Sequence, residues 1–83
     1  MIDTDEIIGS VAFAGNVIVE WTDHVVTLNS HGNKHEDVKD AMNHASAING
    51  LGFIVVQRTW GWHALLPNGN VRQYRGSVMR FHR

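Results

Sequence analysis

The sequence predicts an α+β domain in which one curved, mostly antiparallel sheet packs on a single amphipathic helix, in the order β-β-β-α-β-β-β. Three observations carry that expectation. Residues 33–48, NKHEDVKDAMNHASAI, are the only stretch whose apolar side chains recur at helical spacing, at Val38, Ala41, Met42, Ala45 and Ile48. The flanking segments are short, rich in β-formers and punctuated by turn-forming pairs. At 83 residues the chain has room for one modest core, so helix and strands must share it. The whole of 1–83 is read as one domain, with flexibility expected only at the ends, 1–5 and 82–83.

After a polar lead-in over 1–5, residues 6–14 and 17–21 read as two strands around Gly15 and Asn16, a pair that tolerates positive φ. That turn sets Phe13 against Ile18, Ala12 against Val19 and Val11 against Glu20. It leaves apolar side chains on both faces, which a sheet with one solvated face would not show. Either a bulge shifts the register or the second face is also covered, and a partner subunit would supply such cover. A tight turn at Thr22 and Asp23 leads to a third strand over 24–28, and 29–32 is a loop.

The helix is expected to start at Asn33, a capping residue with Glu36 three places on, and to hold Glu36 and Asp37 in its positive first turn. Gly50 suits a left-handed C-terminal cap. A strand over 52–60 then breaks at Gly61. Residues 62–66 and 71–75 form a hairpin about Pro67, Asn68, Gly69 and Asn70, read as a type I′ turn. In that register Leu66 faces Val71, His63 faces Tyr74 and Trp62 faces Arg75. Residues 76–83 are a short last strand or a docking tail.

Without cysteine the chain has no disulfide, zinc–thiolate site or thiol nucleophile, which fits a cytoplasmic protein. The opening MIDTDEIIGS has no basic residue for a signal peptide, and no apolar run approaches a membrane span. No membrane partner is expected. Charge is nearly balanced overall but not along the chain. All eight acids lie within residues 1–50, offset there only by Lys34 and Lys39, whereas Arg58, Arg72, Arg75, Arg80 and Arg83 follow with no acid among them. Intermixing in the fold would cancel that asymmetry. A polarised surface would present it to an oppositely charged partner or a second copy.

Enzymatic chemistry finds little support. His24, His31, His35, His44, His63 and His82 are scattered, and KHEDV is not the zinc-protease pattern. Asp37 and Asp40 lie three apart on the helix, where a solvated face needs acids anyway. The serines have no elbow motif, and no phosphate-cradling glycine loop occurs. The expectation is a non-enzymatic protein with no catalytic residue, metal or cofactor.

What stands out is a cluster of aromatics among arginines: Arg58, Trp60, Trp62, Arg72, Tyr74, Arg75 and Arg80. Trp62 opposite Arg75 would allow a cation–π contact. Such a surface suits a protein-interface hot spot or a platform for single-stranded nucleic acid. Arginine without lysine favours directional, paired contacts over a diffuse phosphate field, and so a protein partner. In size and composition the chain is similar to the small inhibitors of host defence that bacteriophages and mobile elements encode, although no motif carries that likeness. It implies a module that occludes a surface on another protein, as a homodimer in one version. Nucleic-acid binding through the Trp/Arg surface is the alternative.

Overall fold

A computed structural model describes residues 6–59 and 61–83. Seven strands and one helix appear among them: β1 (Gly9–Phe13), β2 (Asn16–Trp21), β3 (Val25–Asn29), α1 (Glu36–Asn49), β4 (Ile54–Arg58), β5 (Gly61–Leu65), β6 (Val71–Gln73) and β7 (Val78–His82). The α+β class, the strand order and the single helix packed on a sheet are as the sequence predicts. The single curved sheet is not. There are two sheets, one ordered β1-β2-β3-β7 and the other β4-β5-β6, with every pairing antiparallel. The division arises at the C-terminal end. Residues 78–82 alternate, with Met79 and Phe81 buried and Val78, Arg80 and His82 exposed, so this is a strand with a core face of its own. It satisfies that face by pairing with β3, Thr27 opposite Arg80 and Leu28 opposite Met79, rather than by extending the sheet beyond β6.

The inner faces of both sheets and the helix stripe share one core. Val19, Val26, Leu28, Met79 and Phe81 come from the first sheet, Val55, Trp62 and Ala64 from the second, and Val38, Met42 and Ala45 from the helix. Phe53 and Phe81 join the layers edge to face, with centroids 5.6 Å apart.

Both hairpins differ in register from the sequence reading, each for a reason in its turn. In the first, Ala14 and Gly15 take the positive-φ positions (52° and 85°), so Phe13 pairs with Asn16 and Ala12 with Val17. A bulge then carries Val11 onto Val19, which lets the consecutive Ile18 and Val19 both reach the core. In the second, Pro67 follows Leu66 and Gly69 carries the positive φ (93°), while Asn68 does not. The Gly69 N–H bonds Leu66 O and the Leu66 N–H bonds Asn70 O, the pattern of a three-residue loop ending in a left-handed glycine. That loop sets Leu65 against Val71 and Ala64 against Arg72, one residue away from the type I′ expectation.

The helix begins at Glu36, not Asn33. The Asn33 Oδ1 accepts from the His35 N–H at 3.0 Å, a local turn that holds the chain out of the helix for two more residues. His35 is the cap, its Nδ1 accepting from the Asp37 N–H at 3.1 Å. Gly50 closes the other end in the left-handed region (φ 64°), as expected. Ile48 is exposed and Ser46 is buried in the face it was expected to share. Ser46 is drawn in by the edge of β4: its Oγ accepts from the Phe53 N–H at 3.0 Å and donates to Phe53 O at 2.8 Å. One turn earlier, Asn43 donates to Val55 O at 2.8 Å and accepts from the Val55 N–H at 2.7 Å. Two side chains thus satisfy the backbone groups of Phe53 and Val55 at the start of β4 as a neighbouring strand would.

Candidate protein-binding surface

The structure disperses the aromatic and arginine cluster. Trp62 and Tyr74 are each only 2% exposed, so the reading that puts them on a binding surface is corrected for both. The cause is the one-residue shift in the second hairpin. The Tyr74 N–H bonds Trp62 O at 2.8 Å, placing Tyr74 rather than Arg75 across from Trp62 and turning both rings inward. The rings meet edge to face at 5.7 Å. The cation over them is Lys34, its Nζ 4.6 Å from the Tyr74 centroid and 5.4 Å from that of Trp62. Lys34 also donates to Tyr74 O at 3.3 Å, and its partial burial lowers the ammonium pKa. The Tyr74 hydroxyl donates to Ser77 O at 2.7 Å, and burial pushes its pKa up to about 12. Trp60 lies outside the described residues.

The arginines are exposed but do not form one cluster. Arg72 donates from Nη1 to Arg80 O at 3.2 Å, spanning the seam between β6 and β7. Arg80 donates from Nε to Thr27 Oγ1 at 3.2 Å on the outer face of the first sheet. Arg58 stands opposite Gly61, and Arg75, bonded through Nε to Gln73 Oε1, follows the residue paired with Trp62. Arg58 and Arg75 therefore occupy the same end of the second sheet. Among the described residues no arginine forms an ion pair with a carboxylate: the pairs present, His35 with Asp37 and Lys39 with Asp40, lie at the helix start. The charge asymmetry along the sequence is thus not cancelled by direct pairing in the fold.

A different surface emerges on the outer face of the second sheet. Ile54, Leu65 and Val71 face one another across its three strands, and Val56, His63 and Gln73 form the next row. Ile54 is 51% exposed and Val71 49%, with Leu65 half-buried between them. A groove of about 450 Å³ opens beside Ile54, between the last turns of α1 and β4, with Ala47, Gly50 and Gly52 in its walls. The apolar row lies at the end of the sheet away from Arg58 and Arg75, and no acid occurs in residues 51–83. The face is therefore apolar at one end and cationic at the other. Sequence reasoning missed it because Ile54, Leu65 and Val71 are far apart in the chain, and only the observed hairpin registers align them.

The outer face of the first sheet is more polar. Glu20, Thr27, His31 and Arg80 border a shallow hollow of about 290 Å³ there. His31 holds a positive φ (54°), and its Nε2 bonds Val17 O at 2.6 Å. Among the described residues no group of three or more histidine and acid side chains is placed to hold a metal and no helix is long and apolar enough to cross a membrane. No family model, no curated protein and no solved structure matches the chain.

Proposed function

We propose that the chain is a small, non-enzymatic protein-binding module that acts by covering a surface of a partner protein, with the outer face of the second sheet as its contact. The observation that carries this reading is the row Ile54–Leu65–Val71 on a face whose far end holds arginines that form no ion pair with a carboxylate among the described residues, and with no acid in residues 51–83. A contiguous apolar patch with a charged border is the composition of a protein interface. The complementary partner presents an apolar patch beside carboxylates, a side chain of it entering the groove next to Ile54. In this reading the protein inhibits by occlusion, as the small inhibitors encoded by bacteriophages and mobile elements do. The nucleic-acid alternative loses support because neither Trp62 nor Tyr74 is available to stack on a base.

Capture on the tagged protein from lysate of its native host, with and without nuclease, tests the reading. One enriched protein that survives nuclease is expected, and recovery of nucleic acid alone would overturn it. The double variant Ile54→Asp/Val71→Asp should keep its far-UV circular dichroism and weaken the complex by roughly 30-fold or more, the effect of losing an interface anchor worth about 2 kcal/mol. Arg75→Glu should also leave the fold intact while weakening the same complex.

A further inference from the structure

Four strand edges bound the two sheets among the described residues, and three of them are blunted. The outer edge of β4 is bonded by Asn43 and Ser46. β7 accepts a bond from Arg72 at Arg80 O, and β6 is only three residues long and carries that charged side chain. β1 is the exception. Among the described residues no side chain bonds to its backbone, and residues 7–16 contain neither a charge nor a proline, the usual means of blunting an edge. The ladder continues past its first residue, since the Ile8 N–H bonds Trp21 O at 2.9 Å. Ile7 and Ile8, which lead into it, are 59% and 56% exposed.

We infer that β1 is the seat of a two-fold dimer, in which it pairs antiparallel with β1 of a second copy about Val11, joining two four-stranded sheets into one. The strand is self-complementary in that register. Val11 faces Val11, Ser10 faces Ala12, and Gly9 faces Phe13 of the other copy, so core-side residues meet core-side residues. Gly9 makes this possible. The Trp21 indole lies where a side chain there would go, a Cβ on Gly9 falling 2.1 Å from the ring. The Phe13 ring of the second copy then meets that indole across the bare glycine, an aromatic contact that no other register about the two-fold provides. Ile7 and Ile8 run beside Ala14 and Gly15 of the second copy, and Glu6 meets Asn16, so no like charges oppose each other. A foreign strand would gain the backbone bonds but not this matched set of side chains. The inference is independent of the contact face proposed above, which lies on the other sheet.

Sedimentation equilibrium of the full chain tests it. The protein should show twice the 9.3 kDa chain mass. Ser10 and Ala12 are exposed and on the outer face, so changes there spare the fold, which circular dichroism verifies. In Ser10→Lys/Ala12→Lys the new cations oppose each other twice across the two-fold, and the mass should fall to that of one chain. In Ser10→Lys/Ala12→Glu each cation meets an anion instead, and the doubled mass should return. A wild-type protein that stays monomeric to millimolar concentration overturns the inference, whether or not a different protein occupies β1. So does a dimer that survives the double lysine change, or a charge-paired variant that remains monomeric.

Discussion

Tyr74 shows how much a single side chain can depend on its neighbours. Its ring meets Trp62 edge to face with the Lys34 ammonium over both, and its hydroxyl reaches Ser77 O. Burial holds its pKa near 12 against the usual 10. Between those values the unfolded chain releases the phenolic proton while the folded one keeps it, so stability falls as pH rises across that window and levels off above it. Thermal unfolding of Tyr74→Phe should show a smaller alkaline loss than the wild type over the same range. Lys34 is common to both proteins and cancels in the comparison. Ala45 tests the helix in the same way. It is buried against the core, and Ala45→Asp should cost about 4 kcal/mol or more, most of a small domain's stability, in denaturant unfolding. A well-folded variant would mean the helix face is assigned wrongly. Val38, Met42 and Ala45 were legible as core because helical periodicity needs no partner to be read. Trp62 and Tyr74 were not, because their orientation hangs on whether Pro67 opens a three-residue or a two-residue loop.

At the scale of elements, the contact between α1 and β4 is made as much by hydrogen bonds as by burial. Asn43 and Ser46 sit three apart on one face of the helix and take up the backbone groups of Phe53 and Val55, two apart on the strand. The helical and strand repeats coincide over that short distance. Ser46→Ala and Asn43→Ala should each cost about 1–3 kcal/mol in denaturant unfolding, because each leaves a backbone N–H and C=O bare at a packed edge. A cost under about 0.5 kcal/mol would show that water replaces these bonds freely. The existence and order of the elements could be read from turn residues and β-formers, and so could the left-handed cap at Gly50. The pairing of Asn43 and Ser46 with a strand could not, since neither residue belongs to a pattern until the strand is in place. Nor could the late helix start, which depends on Asn33 bonding His35 instead of capping.

For the molecule as a whole, the largest departure from the sequence reading is the split into two sheets. Hairpin signals identify neighbours in the chain, and each hairpin was found from them. The return of β7 to β3 joins residues 49 to 57 positions apart, and local pattern is silent at that separation. The same holds for the proposed contact face: Ile54, Leu65 and Val71 come from three strands and were assembled only by their registers. The charge asymmetry was legible in the sequence, and among the described residues its arginines have no carboxylate partner. Binding through that face should therefore weaken as salt is raised, though only modestly, since the apolar row is indifferent to ionic strength.

The bonds from Asn43 and Ser46 to β4 also bear on how the protein fails. They mean that the helix serves as the guard of a strand that would otherwise offer its backbone to any extended chain it met. Loss of the helix would thus be felt first as a fault of solubility. The shared core would open with the helix stripe gone, and the bare margin of the strand would recruit like strands from other molecules.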